Sequence, residues 1–445
     1  MSPDPVIDAL GVPIRLDLSA LGDADATAVR EAWADAAAGS DASARLVLHV
    51  VPDGDRAWWM PELSRRVTAA AIEHRKGEGW MLHATALADD DGRVVAFVGE
   101  SGAGKTTLAA AVGRRFGYVT DETVFIGPGR DVAPYRKPLS VRGGGIAPKT
   151  ETPPSGLGLG VLPNTPLELT AIVLLDRRDD ADEPTARTLT TVEAVAALTA
   201  HTSFLSHLAR PLQFVAAILA ETPVVRLTYR EAHDLDAIDA LWQTSGNRSR
   251  GTVEPVVDAA DSPPAGGLRR AAVADAIALA DAAQLLVLHD DVVHTLGGIA
   301  PTLWRALGAA GDGPGLVTAL VAAHGHPPEG DAEQLVGAAL DELGAAGLVV
   351  EVGSGWRVAA DCAWQESVGG GVVVLPLRRV RTASPLVLDE VGSLIWRAVA
   401  GAPGAGVPQI SRIVERELLD APDDLTDHVA EFIASLERAL LVDRV

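Results

Sequence analysis

Residues 93–106 are Arg93-Val94-Val95-Ala96-Phe97-Val98-Gly99-Glu100-Ser101-Gly102-Ala103-Gly104-Lys105-Thr106. A short apolar run passes into glycines and then into alanine-rich sequence of helical composition, which predicts a strand, a tight loop and a helix. The loop satisfies G-x-x-x-x-G-K-[ST], in which backbone N–H groups point at an anion and the helix presents its positive end to it. The segment therefore predicts a phosphate-binding loop.

The loop also predicts ATP and Mg²⁺ as ligands. Lys105 is expected to contact the β- and γ-phosphates, and the hydroxyl of Thr106 is expected to bind Mg²⁺. The full set of predicted nucleotide-binding residues is Gly99, Ser101, Gly102, Ala103, Gly104, Lys105, Thr106 and Thr107.

Three further side chains are candidates for the chemistry. Asp121 and Glu122 follow the loop helix on the next strand-like run, as a general base and a metal partner or as two solvated turn carboxylates. Asp176 ends the apolar run 171–175, as a Walker-B-like metal ligand or as an ordinary strand end.

A histidine and a basic cluster also have two interpretations each. His83 lies in an apolar stretch before the loop, where a histidine is either a hydrogen-bonded core residue or a catalytic one. Arg136, Lys137 and Arg142 lie close together in the sequence, as a phosphate clamp or as solvated charges.

The rest of the chain contains an internal repeat. Trp304 recurs as Trp396 and Leu348 as Leu440, in both cases at an offset of 92 residues (396 − 304). We predict an α/β domain over 1–245, a Pro- and Gly-rich linker over 246–275, and two α+β winged-helix copies over 276–352 and 368–445. In the second copy, helices are expected over 387–400, 407–419 and 425–441, with Pro408 near a helix start and Asp424 as an N-cap.

Composition narrows the classes of partner. The 445 residues carry a net charge of −23, and residues 281–445 contain 10 arginines and no lysine against 23 acidic residues. Such a chain is repelled by nucleic-acid backbones and by anionic lipid, so neither is expected as a partner. A single cysteine, Cys362, excludes an intramolecular disulfide, and the lack of a signal-like or long apolar segment predicts a cytoplasmic protein.

Residues 46–235 resemble the HPr kinase/phosphorylase-like P-loop kinases. The likeness rests on His83 in a Leu-His-Ala strand, the Gly-x-Ser-Gly-x-Gly-Lys loop and the acidic pair one helix later. It implies that Asp121 is the base that deprotonates an acceptor hydroxyl and that His83 belongs to the active site. The second acid, usually Asp in that family, is Glu122 here.

The repeated tail resembles PqqD, the prototype of the domains that bind leader peptides of ribosomally made natural products. In the second copy the likeness covers an apolar strand near residue 372, the helix that contains Trp396 and the closing helix near residue 433. It implies that a leader peptide is bound as an added β-strand.

Taken together, these resemblances predict a kinase that phosphorylates a Ser or Thr hydroxyl of a precursor peptide captured by its leader. The catalytic residues would be Asp121, His83 and Lys105, and the metal ligands would be Thr106, Glu122 and Asp176. Two alternatives are a nucleotide-dependent chaperone that only presents the peptide, and a kinase of a free small hydroxyl compound. The partners that this prediction allows are the leader peptide, other maturation enzymes and a second copy of the chain.

Overall fold

The computed structural model describes residues 3–39, 42–100, 105, 108, 112–142, 149–181, 183–230, 253–256, 267–271, 273–279, 284–289, 291–307, 313–327, 331–352, 355–367, 370–377, 385–418, 421–422 and 424–445. Two compact units divide the chain: Met1–Pro255 with Ala274–Thr295, and Val256–Val273 with Leu296–Val445. The domain boundaries given above remain predictions. In the structure, the segment Ala274–Thr295 clusters with the first unit rather than with the tail.

A small three-stranded layer begins the first unit. Its elements are β1 (Val6–Ala9), β2 (Val12–Asp17), α1 (Asp23–Ala32), β3 (Leu46–His49) and α2 (Arg56–Arg75). β1 and β2 are antiparallel, while β2 and β3 are parallel and are joined by α1 as the crossover that a parallel pair requires. Buried side chains of β2 and α2 share one core with Trp33.

The main sheet of the first unit carries the predicted phosphate loop. Its elements, with a separate hairpin of β9 and β10, are β4 (Trp80–Ala88), β5 (Arg93–Val98), β6 (Gly117–Thr120), β7 (Thr123–Ile126), β8 (Val132–Ala133), β9 (Leu139–Arg142), β10 (Lys149–Thr152), β11 (Glu168–Arg177), β12 (Thr185–Thr188), α3 (Thr191–Thr199), β13 (Thr202–Ser203), α4 (Pro211–Glu221) and β14 (Val224–Tyr229). Short 3₁₀ helices lie at Ala34–Ala36, Pro154–Leu157 and Leu205–His207.

Helices cover both faces of this sheet. Its strand order is β12-β14-β11-β5-β4-β7-β8, and β11 runs parallel to its neighbours β5 and β14. α3 and α4 pack on one face, and Leu108 and Val112, from the helix that follows the loop, pack on the other. The mixed α/β character predicted for this region is confirmed, since alternating strands and helices bury a parallel sheet on both sides.

Strand β4 pairs with different partners along its length. Residues 84–88 are antiparallel to β5, and the last three of them also pair with β6. Residues 80–83 pair instead with β7, and Met81 and Leu82 pair with β13. The neighbours of β4 therefore change between residues 83 and 84, so that the strand divides into two parts with different partners.

The tail repeats one order of elements. These are β15 (Val253–Pro255), β16 (Gly267–Arg270), β17 (Asp275–Leu279), β18 (Gln284–His289), β19 (Val292–Leu296), α5 (Ala300–Ala306), α6 (Gly313–His324), α7 (Ala332–Ala345), β20 (Val349–Val352), β21 (Trp356–Val358), β22 (Cys362–Glu366), β23 (Val372–Pro376), β24 (Leu386–Val387), α8 (Glu390–Gly401), α9 (Val407–Glu417), α10 (Leu425–Arg438) and β25 (Val442–Arg444). We call β16 to β20 the first copy and β21 to β25 the second copy.

Strand pairing follows the same scheme in both copies. The first strand of each copy pairs with its last, β16 with β20 and β21 with β25. The second and third strands form an antiparallel pair, β17 with β18 and β22 with β23, and three helices follow. The predicted duplication is thus visible in the structure, while the PqqD-like winged-helix identity of the copies remains a prediction.

Helix starts in the second copy match the sequence in one case and differ in another. Pro408 lies in the first turn of α9, as predicted. Asp424 precedes α10, but its side chain caps no backbone N–H. The reason is its backbone, at φ −97° and ψ 17°, because a capping residue needs an extended conformation.

Within the first unit, a buried carboxylate connects β17 to α4. Asp275, at the start of β17, accepts hydrogen bonds from the backbone N–H and the side-chain amide of Gln213 in α4, both at 3.0 Å. No side chain caps α4 at Arg210, the residue that precedes it. Asp275 therefore supplies from another strand the negative charge that a helix N-terminus favours.

Within the part of the chain that the structure describes, no helix combines the length and the apolar character needed to cross a bilayer.

Candidate active site

The phosphate loop begins where β5 ends. Gly99 and Glu100 follow the strand and Lys105 is helical, whereas Ser101 to Gly104, Thr106 and Thr107 lie outside the described residues. The Lys105 ammonium donates to the carbonyl oxygens of Gly99 and Glu100, the latter at 3.3 Å. Partial burial lowers the pKa of Lys105, against the effect of Glu100. The lysine thus folds back over the start of its own loop.

The acid pair lies across β4 from the end of β5. Ala84 pairs with Val98, the last residue of β5, and its N–H donates to the carbonyl oxygen of Glu122 at 3.2 Å. Asp121 and Glu122 form the bend between β6 and β7, so this strand pairing brings both acids to the end of the sheet that carries the phosphate loop.

A buried lysine bridges the two carboxylates. Lys137 Nζ lies 3.3 Å from Asp121 Oδ1 and 3.4 Å from Glu122 Oε2, and only 12% of its side chain is exposed. Burial alone would lower the pKa of Lys137, but Asp121 and Glu122 outweigh that effect and raise it. The carboxylates are therefore not solvated turn residues.

Hydroxyl groups of α2 and the buried core also touch this acid pair. Thr68 Oγ1 lies 3.4 Å from Glu122 Oε2 and 2.9 Å from the hydroxyl of Tyr135. Tyr118 is buried, and its pKa is raised well above the usual value by burial and then by the neighbouring charge of Asp121. Both phenols therefore stay protonated beside the acids.

One turn earlier, α2 contacts the β9–β10 hairpin. Ser64 donates to Glu151 at 3.2 Å, and Ser140 donates to the other oxygen of the same carboxylate at 2.5 Å. Ser64 and Thr68 are spaced i, i+4, so they lie on one face of α2. That face holds both the hairpin and Glu122.

The structure places His83 at the same edge. Its backbone N–H donates to the carbonyl oxygen of His201 at 2.7 Å, and it pairs with Thr123, the residue after Glu122. Its side chain is exposed on an otherwise buried strand, so it is not a core histidine. Burial lowers the pKa of His201, while Glu100 opposes that shift and Lys105 reinforces it.

Asp176 occupies the Walker-B-like position in the sheet. Leu174 of β11 pairs with Val98, so Asp176 lies two residues beyond the end of β5. Its carboxylate accepts from Arg178 Nε at 3.1 Å and from Thr228 Oγ1 at 3.3 Å. Those bonds already use much of its acceptor capacity, and its role as a metal ligand remains a prediction.

The basic cluster separates into residues with different roles. Arg136 is buried and donates to the carbonyl oxygens of Tyr118 and Gly160 at 2.6 and 2.9 Å, so it is a structural residue. Lys137 faces the acids, and the side chain of Arg142 lies outside the described residues. Sequence analysis missed the acid-bridging role of Lys137; its one usable signal was that the chain has only four lysines: Lys76, Lys105, Lys137 and Lys149.

The acid pair fits a magnesium ion that is bound together with a nucleotide. No group of three or more His, Cys, Asp or Glu side chains among the described residues is arranged to hold a metal by itself. Mg²⁺ in phosphoryl-transfer sites needs only one or two carboxylates, because substrate phosphates and waters complete its shell. Asp121 Oδ1 is fully buried and faces Lys137 Nζ at 3.3 Å without a well-aligned hydrogen bond, so a metal ion or an acceptor hydroxyl would share or replace this contact.

Comparison with known proteins gives limited information. No protein family matches the chain, and no curated protein matches its sequence. Among solved structures, the Hpr(Ser) kinase/phosphatase from Coxiella burnetii is similar at 16% identity, over 37% of this chain and 93% of that chain, with a TM-score of 0.23. This score is too low to show a shared fold, so the activity of that protein is not transferred to this chain.

Proposed function

We propose that this chain is an ATP-dependent kinase that phosphorylates a Ser or Thr hydroxyl of a ribosomally made precursor peptide, with the leader captured by the tail. The observation that carries the proposal is the position of the acid pair, which lies directly across β4 from the strand that ends in the phosphate loop. A loop that binds phosphates next to a buried carboxylate supplies both requirements of phosphoryl transfer, charge stabilisation and a base.

Each residue then has a defined task. Asp121 accepts the proton of the acceptor hydroxyl. The hydroxyl oxygen forms a bond to the γ-phosphorus, and the bond from that phosphorus to the β–γ bridging oxygen breaks to release ADP. Lys105 leaves the carbonyls of Gly99 and Glu100 to balance charge on the phosphates. His83, exposed beside the acid pair, orients the acceptor.

The bound Mg²⁺ ion supplies charge neutralisation at the β- and γ-phosphates. Thr106 and Glu122 would hold it. Asp176 would join them from its present contacts with Arg178 and Thr228, which leave part of the acceptor capacity of Oδ1 unused.

Leader capture is supported by the exposed edge of the second copy. Among the described residues, β24 pairs with β23 over two residues and with no other strand, and its side chains Leu386 and Val387 are 44% and 70% exposed. An unpaired strand edge with apolar side chains is suited to receive an extended peptide as an added strand. Capture would raise the local concentration of the acceptor at the active site.

The first test is the intact mass of candidate peptides encoded beside the gene, after incubation with the protein, ATP and Mg²⁺. We expect a gain of one phosphate, lost by at least about 100-fold in Lys105→Ala and Asp121→Asn, because a positioned base contributes that much. Lys76→Ala is the matched control, since Lys76 directly follows α2 and pairs with Glu73 of that helix, away from the acid pair. Tight ATP and peptide binding without a mass gain would instead favour a presenting chaperone, and phosphate on a free hydroxyl compound alone would favour a small-molecule kinase.

Leader binding is tested separately by Val387→Asp, with Val292→Asp in β19 of the first copy as the control, since Val292 is also exposed. We expect only Val387→Asp to weaken binding of the fluorescently labelled peptide, by about tenfold or more, because it places a charge on the receiving edge. Equal weakening by both variants, or by neither, would contradict capture at β24.

A further inference from the structure

The backbone around Lys137 is held in place by its neighbours. The preceding residue, Arg136, is fixed by the carbonyl oxygens of Tyr118 and Gly160, and the N–H of Tyr135 donates to the carbonyl oxygen of Val119 at 3.0 Å. Pro138 follows and restricts the backbone on the other side. The point from which the Lys137 side chain extends toward the acids is therefore fixed, while its stem keeps its own rotational freedom.

The Lys137 ammonium compensates the negative charge of the two carboxylates. Asp121 and Glu122 are adjacent, and the side chain of Asp121 is only 14% exposed. Besides Lys137, Glu122 is approached by Thr68, a neutral hydroxyl that adds no positive charge. Two carboxylates in a poorly solvated site repel each other unless a cation lies between them.

A lysine ammonium can occupy the position between two carboxylates that a metal ion would otherwise take. Its ammonium is a compact point charge on a flexible stem, unlike the planar fork of arginine, so it can withdraw when another cation arrives. Contact with one oxygen from each carboxylate is also how a divalent cation would use this pair.

We propose that Lys137 is the internal counter-cation of the acid pair: it occupies the cation position between Asp121 and Glu122 in the nucleotide-free protein and gives up Glu122 when metal and nucleotide bind. This rests on the proposed function, because the competing cation is the one that accompanies the nucleotide. Lys137 is thus a positioning residue that holds the acids in place and keeps free metal out of the empty site.

The test measures binding of Mn²⁺ alone to the full-length protein without nucleotide, by electron paramagnetic resonance of the free ion. Lys137→Met removes the charge and keeps the stem, and we expect it to increase Mn²⁺ affinity about tenfold or more, because an attractive acid pair is left unneutralised. Lys137→Arg retains the charge, and we expect its affinity to stay within about threefold of the wild type. Glu122→Gln in the Lys137→Met background should abolish the gain.

A second measurement, the unfolding temperature, tests the same proposal if the variant is less stable than the wild type. An unneutralised pair of partly buried carboxylates lowers the unfolding temperature of Lys137→Met, and added Mn²⁺ should restore it, with a much smaller effect on the wild type. If Lys137→Met does not fold, Lys137→Gln replaces it, since it keeps a polar end without the charge. Unchanged Mn²⁺ affinity in a folded neutral variant would overturn the proposal.

The metal measurement does not depend on phosphoryl transfer. A gain in Mn²⁺ affinity with no phosphorylated peptide would retain the role of Lys137 and refute the kinase. Phosphorylated peptide with no gain in Mn²⁺ affinity would retain the kinase and refute the role of Lys137.

Discussion

In the first copy, the strands β17 and β18 contribute Ile277, Leu286 and Leu288 to the same core as α3, α4 and the main sheet of the first unit. In the second copy, Val372 and Val374 of β23 pack in one core with Trp396 and the other helices of that copy. Both copies carry the same order of elements, and β18 and β23 are both predominantly apolar. The apolar pattern of a strand thus determines that one face is buried, whereas the partner that covers it is determined by long-range contacts.

Polar residues make the same distinction. Asp275 begins β17 and caps α4, whereas Cys362 begins the corresponding strand β22 and is a half-buried free thiol. The polar residue at the start of β17 thus lies in a strand whose sheet belongs to the first unit. Substitutions at such positions test whether the two copies differ in what these residues contribute to the free energy of unfolding.

The largest effect is expected at this pair. Asp275→Ala removes a buried carboxylate and leaves two donors of Gln213 without their acceptor, which we expect to cost roughly 2–3 kcal/mol of unfolding free energy. Cys362→Ala should cost about 1 kcal/mol or less. Urea unfolding followed by tryptophan fluorescence measures both, and equal losses would mean that Asp275 does not distinguish the copies.

A smaller difference is expected between the repeated tryptophans. Trp304 donates its indole N–H to the carbonyl oxygen of Leu348 at 3.3 Å, whereas the buried indole N–H of Trp396 finds no acceptor among the described residues. Trp304→Phe should therefore cost about 1 kcal/mol more than Trp396→Phe, because only the first loses a hydrogen bond. Thermal unfolding of the two variants compares them, and a larger loss for Trp396→Phe would contradict this account.

The smallest effect concerns the last helix of each copy. Asp331 caps α7 by accepting from the N–H of Glu333 at 3.1 Å, whereas Asp424 makes no cap bond to α10. We expect Asp331→Ala to cost about 1 kcal/mol and Asp424→Ala only a few tenths. Unfolding free energies from urea titration would decide, and a cost for Asp424→Ala as large as for Asp331→Ala would show that the two helix starts are equivalent.

Local patterns predicted the parts of the fold that depend on neighbouring residues. The apolar run before Gly99, the helix after Lys105 and the helices near Trp396 all follow from composition over a few turns. These features need no information about distant segments. Asp121 and Glu122 were expected on one strand-like run, whereas the structure divides that run into β6 and β7 and places both acids in the bend between them.

The remaining features depend on contacts between distant segments. Thr68 reaches Glu122 from 54 positions earlier in the chain, and Lys137 turns back to the acids from beyond β7 and β8. The layer of β1 to β3 was not separated from the main sheet, since its strands are as short and apolar as the others. No local sequence pattern indicates such contacts. The sequence around Lys137 therefore does not distinguish it from a solvated surface lysine.

The division of β4 has a consequence for hydrogen exchange. The N–H groups of His83 and Ala84 donate to carbonyl oxygens of His201 and Glu122, respectively, which belong to two different segments flanking the site. An amide exchanges its proton when its own hydrogen bond opens, so these two adjacent amides would report separately on the two flanks. The exchange rates of these two amides would then show which flank opens more often. Their change on addition of ATP would show which flank the nucleotide stabilises.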